Sequence, residues 1–120
     1  MSERPSFFAC PVCRVAITRP LLPLPADQAI CLEDGKPAFA PGFFAVNKDE
    51  YWNVAGHIVV HLGDLVGTSH TGKVNGCCGL DGLDGPNLAC ANDHVIGTEK
   101  SDCWVPHAAI LLDSVLQLNE

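Results

Sequence analysis

Two eight-residue segments, far apart in the chain, constrain its fold more than any other feature: Phe8-Ala9-Cys10-Pro11-Val12-Cys13-Arg14-Val15 and Leu88-Ala89-Cys90-Ala91-Asn92-Asp93-His94-Val95. Each reads as an apolar strand ending in cysteine, a tight turn and an apolar strand leaving. Such a turn aims sulfurs at one ion while its amides face those sulfurs, and tetrahedral zinc accepts thiolates held this way. The first segment supplies Cys10 and Cys13. The second supplies Cys90, but Asp93 stands where a second cysteine would, with His94 one further on. Histidine ligates zinc more commonly than aspartate. The expected set is therefore Cys10, Cys13, Cys90 and His94, with Asp93 as the alternative fourth ligand.

Composition bears on whether those cysteines serve a metal. The chain has 120 residues, seven of them cysteine. The start, Met1 to Pro5, lacks the basic region and apolar run of a secretory signal. The apolar stretch Val105 to Leu112 contains Pro106 and His107 and is too short to span a bilayer. A cytoplasmic location without membrane association is expected. In a reducing compartment an odd cysteine count argues for ligation or buried thiols rather than a disulfide framework. Fourteen acids against seven bases give a formal net charge of −7, which disfavours non-specific gripping of phosphate backbones. Nucleic acid is therefore not the expected partner. At 48% hydrophobic and 18% charged, the chain can bury a core.

The two cysteine turns resemble the zinc ribbon, a family of small folds in which two such knuckles on β-hairpins clasp one structural zinc. The resemblance covers Phe7 to Thr18 and Leu88 to Thr98 and rests chiefly on Cys10-Pro11-Val12-Cys13. It implies a zinc-stabilised fold and extends to no other part of the chain.

Other uses of these residues compete. A thioredoxin-like redox pair needs a helix after the second cysteine, and the β-branched Arg14-Val15-Ala16-Ile17-Thr18, ending at Arg19-Pro20, offers none. Cys31 and Asp34 can also complete a site with Cys10 and Cys13, at a cost in ligand type. Cys77 and Cys78, with Cys103, form a possible second group, glycines supplying the freedom that adjacent ligands need. Buried thiols are the favoured alternative for that group. His57 and His61 share a face, with Asp64 and His70 nearby in sequence. Ile58 stands where a metalloprotease motif has glutamate, and exposed positions on a strand are the favoured explanation. Asp81, Asp84 and Asn87 read as successive turns rather than a calcium loop.

The remaining chain reads as short strands. Pro20 to Pro25 cannot be an ordinary helix and is an extended connector packed on the body. Phe43 to Val46 has strand composition, and Gly56 to Leu62 alternates as a half-buried strand. Residues 67–87 form a glycine-rich loop. Pro106 and the spacing of Leu111, Val115 and Leu118 predict a C-terminal helix over about 106–118, with Asp102 at its start and Trp104 anchoring it. The expected architecture is one small α+β domain over residues 1–120: mainly short antiparallel strands, ribbon-like hairpins near 7–18 and 88–98, and that helix. The expected function is a non-enzymatic, zinc-stabilised module that meets a protein partner. The alternative is a small metal-dependent hydrolase built on His57, His61, His70 and Asp64.

Overall fold

A computed structural model describes residues 5–25, 31, 33, 35–46, 57–71, 86–102 and 106–119. Among them run nine strands: β1 (Ser6–Ala9), β2 (Leu22–Pro23), β3 (Phe43–Val46), β4 (Ile58–Val60), β5 (Ser69–His70), β6 (Leu88–Ala89), β7 (Val95–Lys100), β8 (Ala108–Leu111) and β9 (Leu116–Asn119). Seven form one sheet in the order β2-β3-β4-β8-β7-β6-β5, and β1 pairs with β9 in a second. All pairings are antiparallel except β2 with β3. Pro23, which cannot donate to a ladder, sits in the edge strand β2, where that loss is tolerated.

Side-chain parity sorts the central strands onto two apolar layers. Phe44, Val60, Ala109 and Leu111 join Phe8, Ile17, Leu21, Leu88 and Ile96 on one face. Phe43, Ala45, Val59, Ala108 and Ile110 meet Ala38 and Phe39 on the other. Successive residues of a strand point to opposite faces, so a run that is apolar at every position is covered on both sides. The half-buried reading of Gly56–Leu62 is corrected accordingly, because Val59 and Val60 are both fully buried. Phe8 meets Phe44 edge-on, with centroids 5.1 Å apart at 77°. This contact fastens the two-stranded sheet onto the larger one.

The C-terminal helix does not exist. Residues 106–119 contain strand β8, a turn closed by the Val115 amide donating to the Leu112 carbonyl (3.2 Å), and strand β9. All four residues of β8 are buried between β4 and β7. Full burial of Ile110 and Leu111 is worth roughly 1.5–3 kcal/mol each, whereas helix propensity differs among these residues by only a few tenths. Asp113 and Ser114 then turn the chain, and β9 returns along β1, Leu118 opposite Phe7. The only helical turn among the described residues is a 3-10 segment, Leu62–Asp64. No helix among them is long and apolar enough to cross a membrane.

Two devices hold the segment that leaves the first cysteine turn. Thr18 Oγ1 accepts from the Phe8 amide (3.0 Å) and donates to the Arg19 carbonyl (2.9 Å). Asp64, wholly buried, takes the Arg19 guanidinium on one oxygen and the Gly42 amide (2.7 Å) on the other. A buried carboxylate thus ties three distant stretches together. Behind the second turn, β7 and β8 approach so closely that a Cβ on Gly97 would lie 2.5 Å from the Ile110 carbonyl oxygen. Only glycine fits there.

Candidate metal centre

Both cysteine turns are built by backbone hydrogen bonds and one left-handed residue. In the first, the Cys10 amide donates to Val15 O (2.9 Å) and the Arg14 amide to Cys10 O (2.8 Å). Arg14 takes φ +63° to close it. In the second, the Cys90 amide donates to His94 O (2.8 Å) and the Asp93 amide to Cys90 O (3.0 Å), with Asp93 at φ +65°. The second turn is one residue shorter. Aspartate tolerates the left-handed region better than most residues, because its short polar side chain bonds locally.

This difference of one residue decides the donors. Counting from the first cysteine sets Asp93 opposite Cys13, whereas the left-handed landmark sets Asp93 opposite Arg14. Asp93 is exposed, and His94, the residue after it, swings inward. The sulfurs of Cys10, Cys13 and Cys90 and a ring nitrogen of His94 all lie within 4.8 Å of one another. Cys13 Sγ is 3.7 Å from Cys90 Sγ, and His94 Nδ1 is 3.5 Å from Cys90 Sγ and 3.7 Å from Cys10 Sγ. Nδ1 is the ring nitrogen that faces both sulfurs, so it is the atom positioned to ligate an ion held there. The sulfurs are far beyond disulfide distance, and Cys10, Cys13 and Cys90 are all free thiols.

The turns also supply the surroundings that thiolates need. The Val12 amide donates to Cys10 Sγ (3.4 Å) and the Asn92 amide to Cys90 Sγ (3.3 Å). The Asn92 side chain, followed by the Val15 backbone, lowers the Cys13 thiol from 9.0 to about 6. Burial pushes the Cys90 thiol up, opposed by the amides of Asn92 and His94. Such outer contacts orient ligands and tune their basicity. Asn92 is the residue that sequence reasoning missed. Its position in the middle of a cysteine turn was the available signal. Three soft sulfurs and one imidazole can hold a metal ion, and hard cations prefer oxygen donors.

The other sequence candidates lie elsewhere. Cys31 sits apart, its amide donating to Ala38 O (2.7 Å). Asp34, Cys77, Cys78, Asp81, Asp84, Cys103 and Trp104 fall outside the described residues. His61 caps the 3-10 turn, its Nδ1 accepting from the Gly63 amide (2.9 Å). His70 pairs with Glu99 (2.9 Å), and Asp64 is committed to Arg19 and Gly42. Asn87 is buried and clasps the Glu99 backbone, accepting from its amide (2.6 Å) and donating to its carbonyl (3.1 Å). Asp102 presents its carbonyl to His107 Nε2 (3.0 Å) rather than starting a helix. Among the described residues, the knuckle set is the only group of three or more potential ligands brought together.

No protein-family model matches the chain, nor does any curated protein or solved structure. What the structure supports of the ribbon-like expectation is the cluster of Cys10, Cys13, Cys90 and His94.

Proposed function

We propose that this chain is a non-enzymatic protein whose fold is held by one structural zinc on Cys10, Cys13, Cys90 and His94, and that it works as a cytoplasmic protein-interaction or accessory module. The observation that carries this reading is the match between the donor spacings and a zinc tetrahedron. Bond lengths of 2.3 Å to sulfur and 2.0–2.1 Å to nitrogen set edges of about 3.8 Å between sulfurs and about 3.6 Å between sulfur and nitrogen. Three of the six donor separations lie at those edges, 3.7 Å for the Cys13–Cys90 sulfurs and 3.5–3.7 Å for His94 Nδ1 to the Cys90 and Cys10 sulfurs, and all six are within 4.8 Å. Four protein donors fill the tetrahedron, which is the closed arrangement of structural rather than catalytic zinc. What the metal supplies is a cross-link between two turns whose flanking strands already share one apolar cluster. Exposed Val12 and Val95 flank the site and offer apolar surface to a protein. The net charge of −7 directs the module away from nucleic acid.

Elemental analysis of protein purified without added metal tests the reading. One zinc per chain is expected, and its removal by a strong chelator should unfold the knuckle end, seen as loss of amide-exchange protection at Cys10 and Cys90. Absence of zinc, or a metal that exchanges freely while protection persists, overturns it.

A further inference from the structure

We propose that Cys13 and Cys90 are an oxidisable pair, which hydrogen peroxide joins into a disulfide linking the two turns with release of the bound metal. Formation of the disulfide rests on the thiol geometry alone; release of the metal rests also on the zinc reading above.

The geometry separates Cys13 from its neighbours. Cys10 and Cys90 are wholly buried, while Cys13 is partly open to solvent. Oxidation follows exposure, so Cys13 is the sulfur a small oxidant meets first. Its sulfur lies 3.7 Å from Cys90 Sγ across the turns, while Cys10 Sγ lies 3.7 Å from His94 Nδ1 and within 4.8 Å of the other two sulfurs. Closure to the 2.05 Å of a disulfide shortens the Cys13–Cys90 separation by about 1.7 Å.

In the first step Cys13 sulfur attacks one peroxide oxygen. An S–O bond forms, the O–O bond breaks, and the departing hydroxide takes a proton to become water. In the second, Cys90 sulfur attacks Cys13 sulfur. The S–S bond forms, the S–O bond breaks, and the second hydroxide is protonated to water. The two sulfurs together lose two electrons and the peroxide gains them. Protons come from the thiols, or from solvent where the sulfurs were ligated as thiolates. Only Cys10 and His94 then remain as donors, too few to retain the ion.

The experiment treats the purified full chain with hydrogen peroxide, follows zinc with a chromogenic chelator, and maps disulfides by mass spectrometry after alkylation of free thiols. A peptide joining Cys13 to Cys90 is expected, with one zinc released per such link. Cys31→Ser, away from the site, should give the same link and a release half-time within about twofold of wild type. A Cys10–Cys13 link, a link of either turn to Cys31, or no link between the turns overturns the proposal. Should the protein contain no zinc, the zinc reading fails, and the same disulfide map still decides whether Cys13 and Cys90 pair.

Discussion

The two cysteine turns do the same work with different hardware. The first spans Cys10 to Val15 and carries both of its donors before the left-handed Arg14; the second spans Cys90 to His94 and carries one donor before the left-handed Asp93 and one after it. Yet both present a buried cysteine whose sulfur accepts an amide from two residues on. The shared element is therefore the opening Cys-x-x and its amide, and the closing residue is free to vary. A turn shortened by one residue moves its second donor past the left-handed corner, where histidine has the reach that a shorter side chain lacks.

Breaking that comparison at its donors has the largest expected effect. Cys10→Ser and Cys90→Ser each remove a buried sulfur, and metal affinity should fall by more than about a hundredfold, beyond the 10–100-fold typical of changes to supporting contacts. Competition with a zinc indicator measures it. His94→Ala should behave alike, while Asp93→Ala should leave affinity within a fewfold. Equal losses from both would show that the landmark alignment is wrong.

The next effects lie behind the turns. Asp64→Ala strips the first turn's outgoing segment of its anchor and should cost about 2 kcal/mol, set by the lost charge-assisted bonds to the Gly42 amide and to Arg19. The full price of breaking a buried ion pair does not apply, because Arg19 is 55% exposed and regains water. Gly97→Ala presses a methyl against β8 behind the second turn and should cost roughly 1–3 kcal/mol. Urea unfolding with metal present reads both.

The smallest effects sharpen the comparison at the corners. A left-handed residue bearing a Cβ is strained by about 1–2 kcal/mol, less for aspartate, and glycine relieves this at some cost in unfolded-state entropy. Arg14→Gly should therefore stabilise by roughly 0.5–1 kcal/mol and Asp93→Gly by nearly nothing. Thermal melts of the two variants side by side test the ranking.

How much of this was legible before folding differs by region. The cysteine turns were, because their geometry is local: a few residues fix the amides, the sulfurs and the corner. Even so, counting from cysteine placed Asp93 beside the donors, since backbone handedness is not written in residue spacing. The C-terminal segment was misread because Leu111, Val115 and Leu118 satisfy a helical stripe, while Ala108 to Leu111 equally suits a strand covered on both faces. A short apolar run does not distinguish these, and the neighbours β4 and β7 chose. The same applies to Val59 and Val60, whose second cover, Ala38 and Phe39, lies about twenty residues upstream.

By itself, then, the sequence determined the mainly-β character, the two turns and the identity of the four donor residues as candidates, because local spacing and residue chemistry suffice for those. Tertiary structure decided the rest. It brought Cys13 within 3.7 Å of a cysteine 77 positions away, turned His94 inward and Asp93 outward, and made a strand of the last apolar run. Each of these depends on what lies across the sheet or across the site, and a contact between distant segments exists only once the chain has closed.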